Sequence, residues 1–321
     1  MKRILFLLLL AAGSWARADG PYQIAVIPKG TTYEFWKSLH AGALQAAKEF
    51  TAAGTPVRVI WKGSLREDDR DGQIQVVENF IGRQVSGIVL APLDNRALVA
   101  PVEEAIAAGI PVVIIDSSLR SNKTASFVAT DNRQGGRLAA RRLGQLLNGR
   151  GKAILLRYAV GSASTVEREE GFLEVMRAEF SGITLLSTEQ YAGASRDSAK
   201  SVAENLLNRF GPQVTGVFAS NESAASGMLL ALRDAGLAGG RVKFVGFDAG
   251  KTLIAGLQSG DVQGLILQNP YKMGYLGVKT MVAVLRHEKV AAQVDTGVSL
   301  VTPENMGEPA SAALLHPPVA E

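Results

Sequence analysis

Short apolar runs alternate with amphipathic stretches along most of the chain. Residues 112–116 form a near-continuous apolar run that ends in Asp116, and residues 242–248 repeat the pattern and end in Asp248. Such runs are typical of strands that are buried on both faces of a parallel sheet. Open parallel sheets bind ligands at the carboxyl ends of their strands. The two aspartates therefore predict two similar α/β lobes that close on a polar ligand.

The spacing of apolar residues predicts an alternation of strands and helices in both halves, as in doubly wound parallel sheets. Strands are predicted over residues 23–28, 57–62, 87–91, 112–116, 126–128, 152–158, 183–190, 216–219, 242–247, 264–267 and 296–301. Helices are predicted over residues 35–50, 69–82, 95–108, 131–147, 165–179, 196–209, 223–234, 251–258 and 271–286. From Pro303 onward the chain has four prolines and no clear period, so we expect a surface-bound or loose tail.

Length and composition favour a two-domain protein with ordinary buried cores, since the chain has 321 residues and 47% of them are hydrophobic. The formal net charge is +4, but Lys2, Arg3 and Arg17 carry three of these charges in a segment that we expect to be removed. The remaining charge of +1 gives no support for a nucleic-acid partner. Cysteine is absent, which excludes disulfides and thiolate chemistry.

The N-terminal segment has the pattern of a secretory signal peptide. Lys2-Arg3 precedes an apolar run over residues 4–12, and Ala16-Arg17-Ala18 matches a small-x-small cleavage site. The apolar run is short for a membrane span, although an uncleaved anchor is the alternative. We expect residues 1–18 to be a signal peptide cleaved after Ala18, which leaves a soluble periplasmic protein.

No catalytic or cofactor-binding set assembles from the sequence. The histidines His40, His287 and His316 lie on predicted helices or in the tail, and there is no phosphate loop, nucleophile elbow or paired metal-binding histidine motif. Gly135-Gly136 lies within a predicted helix, where it does not indicate dinucleotide binding. We therefore expect no enzyme activity, no cofactor and no metal.

Polar and aromatic residues gather near the ends of predicted strands. Flat rings pack on the apolar faces of sugars, while carboxylates, amides and guanidinium groups bind sugar hydroxyls. Each residue taken alone could equally cap a helix or form a turn, but the convergence of several indicates a binding site. The candidates are Phe35, Trp36, Asp116, Arg168, Asn221, Asp248 and Gln268.

Several short motifs make the chain resemble the periplasmic sugar-binding proteins of the ribose-binding type, which feed ATP-driven importers. The resemblance covers about residues 23–305. The matching motifs are Glu34-Phe35-Trp36 with Ala41-Gly42-Ala43, Gly109-Ile110-Pro111-Val112, Asp131-Asn132 with Gly135-Gly136, Arg168-x-x-Gly171-Phe172, Phe218-Ala219-Ser220-Asn221-Glu222, Val245-Gly246-Phe247-Asp248 and Gln268-Asn269-Pro270.

The resemblance implies a type I periplasmic binding protein fold, with a sugar bound between two lobes joined by three hinge crossings. It places the crossings near Thr130-Asp131, Gln268-Asn269 and residues 298–300. The expected N-terminal lobe is then 19–130 with 269–298, the C-terminal lobe is 131–268 with 299–306, and the tail is 307–321.

The same resemblance assigns roles to the candidate residues. Phe35 and Trp36 would form an aromatic sandwich, and we expect Trp36 to lie in the cleft and not in the core. Asp116 and Asp248 would bind hydroxyls, Arg168 would supply the guanidinium, and Asn221 and Gln268 would supply amides.

Some positions depart from the ribose type. Ser117 follows Asp116 where that type has an arginine, and Ala194 replaces an expected aromatic. The first loop carries Lys29 and Tyr33, which we add to the expected ligand-binding residues. The pairs Pro28-Lys29 and Asp116-Ser117 are similar to autoinducer-sugar binders of the same superfamily.

These features predict a monomeric solute-binding protein that captures a small sugar or polyol by hinge closure and delivers it to the membrane permease of an ABC importer. The alternative is a sensor that presents its closed form to a chemoreceptor or kinase. A sugar-responsive repressor would need an N-terminal helix-turn-helix, where this chain has the signal segment instead.

Overall fold

Two six-stranded sheets organise the protein, and the computed structural model describes residues 20–320. The signal peptide and the cleavage site predicted at residues 1–18 lie outside the described residues. Within the described residues, no helix combines the length and the hydrophobicity needed to cross a membrane.

The strands and helices alternate as the apolar pattern predicts. The strands are β1 Tyr22–Ile27, β2 Val57–Trp61, β3 Gly87–Leu90, β4 Val112–Ile115, β5 Ser126–Ala129, β6 Gly151–Arg157, β7 Ile183–Tyr191, β8 Gly216–Ala219, β9 Lys243–Phe247, β10 Gly264–Gln268, β11 Gln293–Asp295 and β12 Val298–Val301. The helices are α1 Glu34–Ala52, α2 Arg70–Gly82, α3 Val99–Ala107, α4 Asn132–Leu146, α5 Ala163–Glu179, α6 Arg196–Phe210, α7 Glu222–Asp234, α8 Lys251–Ser259, α9 Pro270–Leu285 and α10 Pro309–Leu315.

The first sheet has the order β11-β5-β4-β3-β1-β2, and all its strands are parallel. Successive residues of β1 face opposite sides: Ile24 and Val26 pack with α1 and α9, whereas Ala25 and Ile27 pack with α2 and α3. Burial on both faces explains why this strand has no polar side. This sheet and its four helices are called the first lobe.

The second sheet has the order β12-β10-β9-β8-β6-β7, with α4 and α5 on one face and α6, α7 and α8 on the other. Only its edge strand β12 runs antiparallel, against β10. This sheet and its helices are called the second lobe. The strand β9 holds the same place in this order as β4 does in the first sheet, so Asp248 and Asp116 follow equivalent strands. The type I periplasmic binding protein fold expected from the sequence is confirmed.

The chain passes between the sheets three times. It does so after β5, after β10 and between β11 and β12. The third crossing lies at Thr296-Gly297 and not at the predicted residues 298–300, because Val298 already pairs with Gln268 in the second sheet. Two crossings touch, since Thr130 Oγ1 lies 3.3 Å from Thr296 Oγ1.

Pairs of helices in both lobes approach so closely that only glycine fits at the contact. A Cβ on Gly42 of α1 would lie 1.9 Å from the carbonyl oxygen of Tyr271 in α9, and one on Gly136 of α4 would lie 1.8 Å from that of Arg168 in α5. The motif glycines therefore set the distance between helix backbones. In the second lobe this contact sets the position of the Arg168 backbone relative to α4.

The tail is more ordered than the sequence indicates. It includes α10, and Leu315 is buried in the core of the second lobe. Beyond this helix the chain reaches the first lobe, where the backbone N–H of Ala320 donates to the carbonyl of Lys37 at 3.0 Å. The strand predicted over 296–301 begins only at Val298, as β12 of the second sheet, and an unpredicted strand, β11, precedes it in the first sheet.

Candidate functional site

All nine candidate residues line one cavity between the carboxyl ends of the two sheets. They are Lys29, Tyr33, Phe35, Trp36, Asp116, Arg168, Asn221, Asp248 and Gln268. The enclosed space is about 30 Å³, which is room for only a water or two. A sugar is larger, so it can enter only when the lobes separate.

Direct hydrogen bonds hold the lobes together across this cavity. Lys29 Nζ donates to Ser164 Oγ at 3.2 Å, and the backbone N–H of Ser164 donates to Ser117 Oγ at 3.1 Å. At the rim, the backbone N–H of Asn95 donates to the carbonyl of Gly161 at 3.0 Å. The structure therefore represents a closed arrangement of the two lobes.

The two strand-ending aspartates share an unusual backbone. Asp116 has φ 62° and Asp248 has φ 70°, in the left-handed region that residues other than glycine rarely adopt. Each backbone N–H donates to the next strand, Asp116 to Val128 and Asp248 to Ile266. Both side chains are buried, so each lobe presents one carboxylate to the cavity from an equivalent position.

In the first lobe the carboxylate is half of a buried ion pair. Lys29 Nζ lies 2.7 Å from Asp116 Oδ2, and neither side chain is more than 6% exposed. Lys29 follows β1 and Asp116 follows β4, so the sheet itself brings the two charges together.

In the second lobe the carboxylate belongs to a network. Gln268 Nε2 donates to Asp248 Oδ1 at 2.8 Å, and Arg168 Nη1 lies 3.9 Å from Asp248 Oδ2. Arg168 also donates to Asn132 Oδ1 and to the carbonyl of Ser220, at 2.8 and 3.0 Å. Burial raises the pKa of the Asp248 carboxyl, and the guanidinium opposes that rise.

Two candidates, Asn221 and Tyr33, already use polar atoms in hydrogen bonds within the protein. Asn221 Oδ1 accepts from the backbone N–H of Ala224 and caps α7, so Asn221 also has the helix-capping role considered as its alternative. Its Nδ2 bonds Ser223 Oγ at 3.1 Å. Tyr33 crosses the cleft, and its hydroxyl donates to the carbonyl of Ala194 at 3.4 Å.

The expected aromatic sandwich is wrong. The rings of Phe35 and Trp36 meet at 87° with centroids 4.7 Å apart, so they form a corner and not two parallel walls. Trp36 is 3% exposed and belongs to the first-lobe core, which corrects the expectation that it lies outside the core.

Glu67 is the first functional candidate that the sequence did not reveal. Its carboxylate accepts hydrogen bonds from Trp36 Nε1 in its own lobe and from the hydroxyl of Tyr158 in the second lobe, the latter at 2.6 Å. Burial raises the pKa of Glu67, and its two hydrogen bonds oppose the rise. It lies in the loop after β2, within an acidic run that resembles an ordinary exposed loop.

Glu222 is the second missed residue, and it lies beside Asp248 at the start of α7. Burial and the neighbouring carboxylates of Asp248 and Glu67 raise its pKa to about 8. An acid in the first turn of a helix ordinarily indicates only a dipole interaction, which is why the sequence did not single it out. Further hydroxyls on the cavity wall come from Ser162, Ser164, Thr165 and Ser223.

No group of three or more histidine or acidic side chains arranged to hold a metal ion is found within residues 20–320. Asp116, Asp248 and Glu67 instead bond lysine, amide or hydroxyl groups. The cavity thus offers donors and acceptors from both lobes with aromatic edges, an arrangement suited to a polyhydroxylated molecule.

The model of a protein family described as "Periplasmic binding protein domain" matches residues 24–289. Among characterised relatives, the D-ribose/D-allose-binding protein of Pseudomonas aeruginosa is 32% identical over 291 residues, which is 87% of this chain and 88% of that protein. The ribose import binding protein of Bacillus subtilis is 30% identical over 236 residues, covering 74% of this chain and 75% of that protein.

Solved structures show the same similarity. A carbohydrate transporter solute-binding protein from Agrobacterium radiobacter in complex with D-arabinose has a TM-score of 0.87 and 35% identity, and covers 93% of this chain and 100% of that chain. An ABC transporter solute-binding protein from Agrobacterium vitis with bound D-fucose has a TM-score of 0.85 and 32% identity, with 92% and 100% covered. The chain therefore belongs to the periplasmic sugar-binding proteins of the ribose-binding type, which are solute-binding components of ABC sugar importers and not enzymes.

Proposed function

We propose that this protein captures a small sugar or polyol in the cavity between its lobes and delivers it, as a monomer, to the membrane permease of an ABC importer. The observation that carries the proposal is the pair of buried, equivalent aspartates, Asp116 and Asp248, that face each other across the cavity. A carboxylate accepts hydroxyl protons from two directions, and a ligand bonded to both would hold the lobes together.

The proposed ligand is a neutral pentose, hexose or polyol. Relatives are named as binding proteins for ribose, allose and xylitol, and similar solved structures contain D-arabinose and D-fucose. Lys29 and Arg168 already have carboxylate partners, so no free cation to attract an anionic ligand is found among the described residues that line the cavity. All nine candidate residues are proposed to bind the ligand, together with Glu67 and Glu222.

Location follows the same reasoning. The family is periplasmic, and we propose that residues 1–18 form the signal peptide cleaved after Ala18. N-terminal sequencing of protein recovered from the periplasm should begin at Asp19; full-length chain in the cytosol would contradict this.

The units proposed to move are the first and second lobes, which turn about the three crossings.

A ligand screen tests the function. Thermal unfolding is measured with D-ribose, D-allose, D-arabinose, D-fucose and xylitol, with amino acids as the non-sugar control, and calorimetry follows each shift. A ligand at 100 times its Kd stabilises by about 2.7 kcal/mol, which is readily detected. Asp248→Asn should reduce the shift at the same ligand concentration, whereas Asp234→Asn, which changes an exposed acid on α7, should keep it in full. Stabilisation by amino acids but by no sugar or polyol would contradict the proposal.

A further inference from the structure

A second chamber adjoins the sugar cavity. It measures about 200 Å³, several times the volume enclosed by the cavity itself. Phe35, Glu222, Asp248 and Gln268 line both spaces, so these four side chains separate the chamber from the sugar cavity.

The lining of this chamber is mainly apolar. Ile254 of α8 and Leu267 of β10 line it from the second lobe, and Pro270 lines it at the start of α9. Its polar lining comes from the shared wall, from His316 of the tail and from one edge, where Lys251 Nζ lies 3.4 Å from Glu34 Oε1. A chamber of this composition favours hydrocarbon over a second hydrated sugar ring.

The tail forms one side of the chamber. Leu314 and Leu315 of α10 and the following residues Pro317 and Val319 line it. The tail then reaches the first lobe, where Ala320 bonds the backbone of α1. The chamber therefore has walls from both lobes and the tail, and it is complete only when the lobes are closed.

One polar atom at the shared wall marks where a ligand would pass. Gln268 Oε1 is buried and accepts no hydrogen bond among the described residues, while its Nε2 is occupied by Asp248. A buried acceptor without a partner costs about 1–3 kcal/mol, so a ligand hydroxyl that donates to Gln268 Oε1 would be stabilised. This places the sugar end of a ligand at Gln268 and the rest beyond it.

We propose that the chamber is a subsite for an apolar alkyl or aryl substituent carried by the sugar, so that this protein binds glycosides in preference to the free sugar. The inference rests on the proposed sugar-binding function. The size is appropriate, because an apolar cavity of about 150 Å³ accommodates benzene, a group of six carbons.

The test is a calorimetric series on the full mature chain. Free D-ribose, D-allose, D-arabinose and D-fucose are compared with their methyl, butyl and hexyl glycosides in both anomeric forms. Each buried methylene should tighten binding about fourfold, so butyl should bind roughly 60-fold more tightly than methyl. The gain should level off near six carbons as the chamber fills.

Ile254→Trp fills the chamber and should abolish the dependence on chain length while changing free-sugar affinity less than about threefold. Ala255→Trp is the matched control, because Ala255 is exposed on the same helix and should keep the full series. Leu314→Trp fills the chamber from the tail and provides a second test if Ile254→Trp does not fold, as judged by its melting temperature.

The outcomes separate the two proposals. Free sugars that bind while alkyl chains add nothing would overturn the chamber and leave the sugar-binding function intact. A chain-length series that survives both folded tryptophan variants would also overturn it. If neither free sugars nor glycosides bind, the proposed function fails and the subsite fails with it.

Discussion

Each lobe places an aspartate directly after an equivalent strand, yet the two carboxylates have different partners. Asp116 in the first lobe forms a close ion pair with Lys29, and both side chains are almost fully buried. Asp248 in the second lobe is bonded by Gln268, and Arg168 lies 3.9 Å away with two other partners of its own. Two aspartates with the same backbone conformation are therefore stabilised by different partners, a lysine in the first lobe and an amide in the second.

Because of this difference, we expect the two lobes to tolerate the loss of their aspartates unequally. Removing one member of a buried ion pair leaves an uncompensated charge, which costs about 3–5 kcal/mol. Lys29 would be left in that state only when the lobes close, since the open cleft is hydrated, and it would then keep only the hydroxyl of Ser164 as a partner. Arg168 would retain Asn132 and the Ser220 carbonyl.

The largest effect is therefore expected for Asp116→Ala. Closure around a sugar should lose about 3 kcal/mol or more, which weakens affinity over 100-fold. Calorimetry measures it, and Asp116→Asn controls for the positive φ, which asparagine tolerates better than alanine. Adding Lys29→Met to Asp116→Ala should recover part of the loss; a double variant no better than the single one would contradict the stranded-charge explanation.

Asp248→Ala should weaken sugar binding less, by at least about tenfold. Hydrogen bonds to a charged group contribute about 1.5–3 kcal/mol, and no buried cation is left without partners. Calorimetry on the folded variant decides it, with Asp248→Asn as the backbone control. Wild-type affinity in folded Asp248→Ala would remove this residue from the site, and losses equal to those of Asp116→Ala would break the comparison between the lobes.

Proton uptake should distinguish the second lobe further, because Glu222 has a pKa of about 8 in the closed form and an ordinary value when hydrated. A raised pKa stabilises closure fully below about pH 4.5, and that stabilisation is lost as pH rises to about 8. Within this window affinity should fall by up to about tenfold per pH unit.

The measurement is calorimetry at pH 7 in buffers of different ionisation enthalpy, which should reveal uptake of nearly one proton per sugar bound. Burial raises the pKa of Glu67 and Asp248 in the same direction, so Glu222→Gln should remove most of the uptake and not all of it. Unchanged uptake in that variant would contradict the assignment.

The smallest effect is expected for Tyr158→Phe, which removes the hydroxyl that reaches across from the second lobe to Glu67. Glu67 keeps its bond from Trp36, so closure should lose only about 1 kcal/mol, or about fivefold in affinity. Tyr275→Phe is the matched control, because it removes a hydroxyl that bonds Glu49 at an exposed site outside the cavity lining. A loss above 100-fold would mean that Glu67 depends on Tyr158 alone.

The sequence predicts the fold well because buried parallel strands have a strong signal. Most observed bounds fall within one or two residues of those predicted, but α3 begins at Val99 and not at 95. The reason is Asp94, whose Oδ1 accepts from the backbone N–H groups of Arg96 and Ala97 and holds a turn there. The strand β11 escaped prediction because it has only three, partly exposed residues and pairs with β5, far away in the chain.

The cavity lining is predictable from topology where strand ends mark it. Asp116 and Asp248 directly follow buried strands and Gln268 ends one, whereas the candidates on helices were supported by the family motifs. Glu67 and Glu222 carry no such mark, since a loop acid and a first-turn acid are ordinary surface features. Trp36 lines the cavity as expected, but it also packs in the first-lobe core, which its place in a motif does not reveal.

The two lobes are proposed to close on a sugar held by an aspartate from each. Small-angle X-ray scattering of the monomer, with and without a saturating sugar identified by calorimetry, measures this closure. The radius of gyration should fall when the sugar is added, and Asp116→Ala should stay open under conditions that saturate the wild type. An unchanged radius of gyration in the sugar-saturated wild type would contradict the account.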